Sequence, residues 1–395
     1  MKQEGLNIGF SGGGLRASYY CLGGYRRLVE LGLDHKVQGI TSVSGGSITA
    51  GAVMTALAEG AFTGVDDFDK RVTKPMTDVG LINIRRKLFW RILRHPHKLW
   101  APRLNLSAMF PDVLKKELYG DIKMIDLPRA PLWNCNAACL NTMKGFYFNS
   151  YSMEGEKIGR STDIDDISVA FAVAVSAAFP MIFAPVRLST RPHSFIDLDG
   201  TSSYPKGPPD ELYLTDGGVF DNLGTNSILQ ENGDFITMDA SDRSRVWPYG
   251  YKSSFPTRTL RILNISMSEM IYLRREILDK EHNRRGIQLI LEHKMEQVLN
   301  EQLGKLGIQR LSWDYEKYEV VEERASYLRT DLDAFNEIEM AVLRWMGEVR
   351  MDAALKSLYP EQIPADKRNK VPVFPYEDLK GVENVLKKGE KRVFW

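Results

Sequence analysis

The chain has 395 residues, a formal net charge of +1 and 43% apolar residues. The balanced charge excludes the basic signature of a nucleic-acid-binding protein, and the apolar fraction is ordinary for a globular fold. Three cysteines, an odd and low number without zinc-like spacing, indicate a reducing compartment and no metal site. No signal-peptide pattern opens the sequence, so we expect a cytoplasmic protein.

The first element is a predicted strand over residues 6–10. A glycine-rich loop over residues 11–17 follows, and helical spacing of apolar residues extends over residues 18–31. A strand, a glycine loop and a helix start together expose several backbone N–H groups and the positive end of a helix dipole. The sequence therefore predicts a site for negative charge here.

Three interpretations of this loop stay open. The amides of Gly13 and Gly14 could form an oxyanion hole, with Arg16 adding charge or positioning the loop. Alternatively, residues 12–17 fit the dinucleotide-binding pattern G-x-G-x-x-[GA], and Asp34 lies about 20 residues further on. The simplest interpretation is a tight turn between a strand and a helix.

A serine turn follows the second predicted strand, residues 37–41. Residues 42–46 (Ser-Val-Ser-Gly-Gly) lead into an alanine-rich predicted helix, residues 47–57. This is the setting of a nucleophile elbow, in which a sharp turn presents one hydroxyl, here that of Ser44. The usual pattern is G-x-S-x-G, and Ser42 stands in place of the first glycine. The alternative is a plain turn residue or helix cap.

The glycine loop and the serine turn end neighbouring strands. In a parallel sheet both lie at the same carboxyl edge, where such folds place their sites. Dinucleotide binding does not require a serine elbow at that edge. The sequence therefore favours the oxyanion-hole interpretation.

A basic segment extends over residues 81–104, which contain seven Lys or Arg residues and no acidic residue. At about 100° per residue, apolar side chains share one helix face and Arg91 and Arg94 lie opposite, with Trp90 among the basic residues. Such a helix can rest on an anionic membrane surface. The alternative is a surface helix that packs its apolar face on the core.

An uncharged run over residues 167–186 is long enough to cross a bilayer. It contains Pro180 and Pro185, however, so we predict a helix that breaks at the first proline and a strand after it, with a membrane span as the alternative. Residues 189–210 are loop-like, either mobile near the substrate or a surface insertion.

Later segments complete the predicted elements. Residues 131–140 and 145–148 predict strands, arranged as a hairpin, and residues 259–303 and 331–358 predict long helices. The tail from residue 360 docks on the body, covers the site or touches a membrane. No internal repeat or linker separates these elements, which favours one elaborated domain.

A second candidate catalytic residue is Asp216, which an apolar strand delivers into an Asp-Gly-Gly turn. Asp-Gly is commonly a plain turn. An activated serine needs a base, however, and none of the six histidines lies in a motif that can be tied to Ser44. A Ser/Asp pair without histidine is therefore the economical hypothesis.

In combination these motifs resemble the patatin-like phospholipases, which include the catalytic domain of cytosolic phospholipase A2. The glycine loop, Ser44 and Asp216 match the family's motifs in order, and residues 176–180 (Ser-Ala-Ala-Phe-Pro) are similar to its Ser-x-Ala-x-Pro segment. Residues 330–335 with Gly347 resemble a segment common in bacterial members, so a bacterial protein is expected.

The resemblance covers residues 5–350, with an insertion at about residues 60–128 and a C-terminal extension over residues 351–395. The sequence departs from the family pattern at two places. Ser42 replaces the elbow glycine, which could alter the turn at the nucleophile. Residues 221–224 (Asp-Asn-Leu-Gly) stand where a proline is often found, and this departure is expected to affect only packing.

The resemblance implies a three-layer α/β/α fold with a central, mostly parallel sheet. It also implies hydrolysis of the fatty-acyl esters of glycerophospholipids through an acyl-enzyme, without a metal or other cofactor. Ser44 would be the nucleophile and Asp216 would accept its proton. The oxyanion would be held by Gly12, Gly13, Gly14 and Arg16.

Partners follow from the same resemblance. A phospholipid membrane surface is the expected partner, with the protein bound peripherally and no nucleic acid involved. Some bacterial relatives act in antiphage defence and are switched on by a cyclic nucleotide, so a small-molecule activator and a homo-oligomer stay open. Two other functions also stay open: a lipid-binding or storage protein of the same fold, and a dinucleotide-binding oxidoreductase.

Overall fold

The computed structural model describes residues 5–84, 86, 106–180, 182–198, 200–204, 206–241, 254–280, 285–294, 316–330 and 332–390. A mixed sheet forms the centre of this part of the chain, where it has ten strands. The strands are Leu6–Phe10 (β1), Val37–Val43 (β2), Leu132–Cys139 (β3), Lys144–Phe148 (β4), Met153–Gly155 (β5), Gly159–Ser161 (β6), Val186–Ser189 (β7), Glu211–Asp216 (β8), Asp234–Asp239 (β9) and Gly286–Ile290 (β10).

The sheet has a parallel half and an antiparallel half. Strands β10, β9, β1, β2 and β3 follow one another in parallel, and β4, β5 and β6 continue antiparallel from β3. Strand β8 pairs antiparallel with the end of β3 and with β7. The parallel half brings the ends of β1 and β2 together at one carboxyl edge, as the sequence predicts.

Helices in the described residues are Gly14–Leu31 (α1), Gly45–Glu59 (α2), Val65–Phe68 (α3), Lys74–Gly80 (α4), Leu106–Leu114 (α5), Val169–Ser176 (α6), Gly218–Asp221 (α7), Thr225–Gln230 (α8), Phe255–Asp279 (α9), Glu319–Ser326 (α10), Glu337–Leu358 (α11), Ala365–Arg368 (α12) and Leu379–Gly389 (α13). Single 3₁₀ turns occur at Asp34–Lys36, Met124–Asp126, Glu316–Tyr318 and Pro360–Gln362, and π-helical turns at Asp69–Thr73 and Lys115–Tyr119. The described part of the predicted insertion, residues 60–128, contains α3, α4 and α5.

Helices cover both faces of the sheet. Phe10 at the end of β1 packs edge-on against Tyr25 of α1, with ring centroids 6.4 Å apart. The preceding residue, Gly9, points to the opposite face, where a Cβ atom would lie 2.8 Å from Ile228 of α8. Helices α1, α2, α6 and α11 form one outer layer and α7, α8 and α9 the other. This confirms the three-layer α/β/α fold.

The crossing of α1 and α11 joins an early and a late segment of the chain. A Cβ atom on Gly347 would lie 2.0 Å from the Tyr20 carbonyl oxygen, and one on Gly23 would lie 1.9 Å from the Arg344 carbonyl oxygen. Only glycine lets the two backbones approach so closely. Residue 350, where the sequence places the end of the family-like region, lies inside α11.

Most of the predicted elements agree with the structure. Strands β3 and β4 form the predicted hairpin. Helix α6 begins at the Ser168 cap and ends before Pro180, as predicted. In the part of the chain that the structure describes, no helix is both long and apolar enough to span a bilayer. The described end of the tail docks on the body, because α13 packs on α10 and α11.

The prediction of one helix over residues 259–303 is wrong. Helix α9 ends at Asp279, and Gly286–Ile290 is a strand. Strand β10 is added parallel to β9, which buries Ile287 and Leu289 and satisfies their backbone groups within the sheet. Local helix propensity is overridden here by a tertiary contact.

The predicted membrane-contact residues lie outside the described residues. These are Trp90, Arg91 and Arg94.

Candidate active site

Ser44 occupies a strained turn between β2 and α2. Its φ and ψ are 51° and −120°, a conformation that non-glycine residues rarely adopt and that costs about 1–3 kcal/mol. The two residues that follow must be glycines. A Cβ atom on Gly45 would lie 1.9 Å from the Gly14 carbonyl oxygen, and one on Gly46 would lie 2.6 Å from the Ser11 carbonyl oxygen. The geometry is that of a nucleophile elbow.

The glycine loop lies against this elbow. A Cβ atom on Gly12 would be 3.2 Å from that of Ser44. The N–H group of Gly12 donates to the Asn222 carbonyl oxygen at 3.1 Å. Gly13 and Gly14 have φ of 137° and 58° and begin α1, and no described residue accepts their N–H groups. These two amides can therefore receive an anion beside Ser44.

Arg16 is fully buried behind the loop. Its guanidinium donates to the main-chain oxygens of Ala240, Ser241, Ser326 and Leu328. The side chain thus ties the glycine loop to the end of β9 and to a segment more than 300 residues away in sequence. This placement favours the positioning role of Arg16 over a direct contribution of charge.

Strand register brings Asp216 to the elbow. Val43, just before Ser44, is paired with Asn136 of β3, and the next residue of β3, Ala137, is paired with Asp216. Because β8 joins β3 only where β2 ends, the last residue of β8 lies beside the turn that carries Ser44. The two residues, 172 apart in sequence, are neighbours at one edge of the sheet.

The carboxyl group of Asp216 is buried, with 2% of the residue exposed. Burial raises its pKa from the ordinary 3.8 to about 7, while hydrogen bonding with the Ser44 hydroxyl and with the Gly218 N–H group acts in the opposite direction. Oδ1 accepts that N–H group at 2.8 Å. Oδ2 has no hydrogen bond of standard geometry to a described residue.

The segment over residues 176–178 connects the elbow with Asp216. The Ser176 hydroxyl accepts the Ser44 N–H group at 3.0 Å, and the Ala178 carbonyl oxygen accepts the Asp216 N–H group at 3.1 Å. The sequence identified this segment only as a motif and gave it no role.

Asn222 is a second residue whose role the sequence missed. Its carbonyl oxygen accepts the Gly12 N–H group, and its side chain donates to the Ser241 hydroxyl at 2.8 Å. A Cβ atom on Gly12 would lie 2.2 Å from its Oδ1 atom. The departure from the family pattern over residues 221–224 was expected to affect only packing, but Asn222 holds the glycine loop directly.

The described residues also include histidines, cysteines and carboxylates outside the elbow. No three His, Cys, Asp or Glu side chains among them gather as metal ligands. His193 is held by the Asp163 carbonyl oxygen at 2.6 Å and has no contact with the elbow. The three cysteines are buried and free.

A strained serine, an amide loop and a buried carboxyl at the carboxyl edge of an α/β sheet define a candidate serine-hydrolase site. The sequence profile of the patatin-like phospholipases matches residues 9–229, more than half of the chain. The chain therefore belongs to the patatin-like phospholipase family. Membership supports a lipid hydrolase function and argues against the dinucleotide-binding alternative.

One solved structure with a TM-score above 0.5 supports the fold, and two others show a weaker similarity. Human GIVD cytosolic phospholipase A2 is 14% identical in sequence with a TM-score of 0.51, and the match covers 91% of this chain and 63% of the human chain. The same human protein in complex with methyl gamma-linolenyl fluorophosphonate has 15% identity and a TM-score of 0.49, over 98% and 59% of the two chains. VipD from Legionella pneumophila has 12% identity and a TM-score of 0.31, over 99% and 88%.

The chain spans about three-fifths of the length of the human enzyme. No curated protein sequence matches it. The expectation of a bacterial source stays a prediction.

Proposed function

We propose that the protein is a lipid acyl hydrolase of the phospholipase A type, with Ser44 as nucleophile and Asp216 as base. The observation that carries the proposal is the convergence of a strained serine and a buried carboxyl whose pKa is raised to about 7. The glycine loop that carries the amides of Gly13 and Gly14 lies against the same turn. Family membership supplies the substrate class.

The reaction takes two steps. The Asp216 carboxylate accepts the hydroxyl proton while Ser44 Oγ attacks the ester carbonyl carbon, and the amides of Gly13 and Gly14 bind the resulting oxyanion. The intermediate collapses to an acyl-enzyme, and the alcohol leaves with the proton from Asp216. Water then loses a proton to the same carboxylate, attacks the acyl carbon and releases the fatty acid, which restores the Ser44 hydroxyl.

The pH profile provides one test. A carboxyl with a raised pKa is mostly protonated below that value, and only the carboxylate can accept the Ser44 proton. We expect kcat/KM to rise about tenfold per pH unit below about pH 7 and to level off above it. The measurement is hydrolysis of a water-soluble ester between about pH 5 and pH 9. A rate that is flat or falls over the acidic range would contradict the base role of Asp216.

Helix α9 supports a lipid surface as the place of action. Arg275 near its end binds the Asp239 carboxylate at the last residue of β9. At 1.5 Å per residue, the first residue of α9 therefore lies about 30 Å further along the helix axis, past the carboxyl edge of the sheet. Phe255, Ile262 and Ile265 are 74%, 65% and 52% exposed on this stretch.

Charge on the same stretch is complementary to anionic lipid. Residues 255–268 contain Arg258 and Arg261 and no acidic residue. Exposed apolar side chains interspersed with arginine are typical of a helix that rests in the head-group region of a membrane. We propose that this stretch, which extends away from the active-site edge, contacts the phospholipid surface.

Paired substitutions test this contact. The double variant Ile262→Glu, Ile265→Glu should lower hydrolysis of anionic phospholipid vesicles at least about tenfold, because each charge opposes insertion of the helix face. Hydrolysis of a water-soluble ester should stay unchanged. The matched control is Val371→Glu, Val373→Glu, which alters two other exposed apolar residues. Equal vesicle binding by both double variants, measured by flotation, would exclude the contact between α9 and the membrane. If the wild type is a dimer and Ile262→Glu, Ile265→Glu is a monomer, the exposed face binds a second copy of the chain instead.

A further inference from the structure

Three buried serine hydroxyls form a continuous row beside the elbow. Ser42 Oγ lies 2.8 Å from Ser47 Oγ, which lies 2.9 Å from Ser176 Oγ. At one end, Trp133 Nε1 donates to Ser42 Oγ at 2.8 Å. All four side chains are no more than 1% exposed. We call Ser42, Ser47 and Ser176 the serine row.

The other end of the row reaches the backbone of the candidate nucleophile. Ser176 Oγ donates to the Asn136 carbonyl oxygen at 2.6 Å and accepts the Ser44 N–H group at 3.0 Å. The Ser176 carbonyl oxygen accepts the N–H group of Gly217, the residue after Asp216, at 3.3 Å. Ser176 therefore touches both chain segments that carry the proposed catalytic residues.

The bonds at the two ends of the row set its direction, and the Cys135 thiol, which also interacts with Ser47 and Ser176, donates to the Ala172 carbonyl oxygen at 3.5 Å. The indole N–H of Trp133 can only donate, and the Asn136 carbonyl oxygen can only accept. A hydroxyl has a single hydrogen, so the hydrogens along the serine row all point from the indole towards Asn136. The two lone pairs of the Ser176 oxygen then receive the Ser47 hydroxyl and the Ser44 N–H group.

We propose that the serine row positions Ser44, an inference that rests on the catalytic role proposed for that residue. Ser44 is held at a φ of 51°, and such strain persists only where surrounding groups fix the peptide. Ser176 fixes it by accepting its N–H group, and Ser42 orients the Ser176 hydroxyl through Ser47. The serine at position 42, where the elbow pattern has glycine, is thus a positioning residue.

Kinetics of three single variants test the row. Ser176→Ala should lower kcat about 10- to 100-fold, since it frees the nucleophile's peptide, and Ser42→Ala about 3- to 10-fold. KM should change less than about twofold, because no group that contacts the substrate is removed. Ser42→Gly, which restores the usual elbow residue, should lower kcat as much as Ser42→Ala does.

A double variant tests whether the two residues act through one path. Ser42→Ala, Ser176→Ala should be no slower than Ser176→Ala alone, because Ser42 acts only through Ser176. The matched control is Ser357→Ala, which removes another buried hydroxyl, bonded to the Ala353 carbonyl oxygen at 2.7 Å. It should leave kcat unchanged.

Two kinetic results would overturn the proposal: a kcat of Ser42→Gly equal to or above the wild-type value, or losses at Ser42 and Ser176 that multiply in the double variant. Hydrogen exchange of the Ser44 amide gives a readout that does not need turnover. It should be at least about tenfold faster in Ser176→Ala and in Ser42→Ala than in the wild type or Ser357→Ala. Unchanged exchange of the Ser44 amide in these variants would refute the positioning role of the serine row. A wild-type protein that hydrolyses no ester would refute only the proposed function.

Discussion

Replacing Ser44 with alanine is expected to lower ester hydrolysis at least about 10⁴-fold, with the fold retained. The substitution removes the hydroxyl oxygen that we propose forms the acyl bond, while the glycine loop and Asp216 stay in place. Alanine also fits the site sterically, although its φ stays strained as that of serine is. The measurement is release of fatty acid from phospholipid vesicles, together with labelling by a fluorophosphonate probe.

Ser357→Ala is the matched control for this prediction. Ser357 is a buried serine of α11, outside the stretch of α9 proposed to contact the membrane, and its hydroxyl donates to the Ala353 carbonyl oxygen at 2.7 Å. This variant should keep full activity and labelling. Undiminished hydrolysis by Ser44→Ala would remove Ser44 from the mechanism. Lipid binding without probe labelling of the wild type would favour the lipid-binding or storage function instead.

Asp216→Asn is expected to be inactive and yet more stable than the wild type. The amide cannot accept the Ser44 proton, so we expect a loss of about 10³- to 10⁴-fold in kcat. The buried carboxylate has a raised pKa, so its ionisation opposes folding. Asparagine removes that cost, and its Oδ1 atom can still accept the Gly218 N–H group.

The pH dependence of stability follows from the same raised pKa of Asp216. Between the ordinary pKa of 3.8 and the folded-state value of about 7, the folded protein binds more protons than the unfolded chain, so wild-type stability falls as pH rises. Above about pH 7 the full cost, at most about 4 kcal/mol, is present. The gain in Asp216→Asn should therefore be largest at about pH 8 and vanish near pH 4.

Urea unfolding at these two pH values measures the gain. Asp165→Asn is the control, because Asp165 is exposed in the loop between β6 and α6, and it should change neither activity nor the pH dependence of stability. A destabilised Asp216→Asn at pH 8 would show that the carboxylate is stabilised by its surroundings, contrary to the burial seen here.

Local sequence patterns predicted the individual elements of the site. A glycine run after an apolar strand predicts the amide loop, and small residues after Ser44 predict the elbow, because the close approaches at Gly45 and Gly46 admit no side chain. These are constraints within a few residues of the chain. Strand β10 was mistaken for helix because its strand character comes only from pairing with β9.

Local sequence patterns did not predict the roles that depend on contacts between distant parts of the chain. Arg16 was a candidate either for charge at the oxyanion or for positioning the loop, and in the structure it binds the carbonyl oxygens of Ala240, Ser241, Ser326 and Leu328. Ser42 was an unexplained departure, and Ser176 was a motif residue without a function. Their hydrogen bonds join strands and helices whose packing no local pattern specifies.

The sequence by itself determined the α/β class, the family resemblance and the identity of the candidate nucleophile and base, because each is encoded in short motifs at the ends of apolar strands. Only the tertiary structure decided that Asp216 is buried beside Ser44, that Asn222 holds the glycine loop and that a row of serines supports the elbow. The pKa of a carboxyl and the direction of a hydrogen bond depend on burial and on neighbours, and these arise when the strands pair in register.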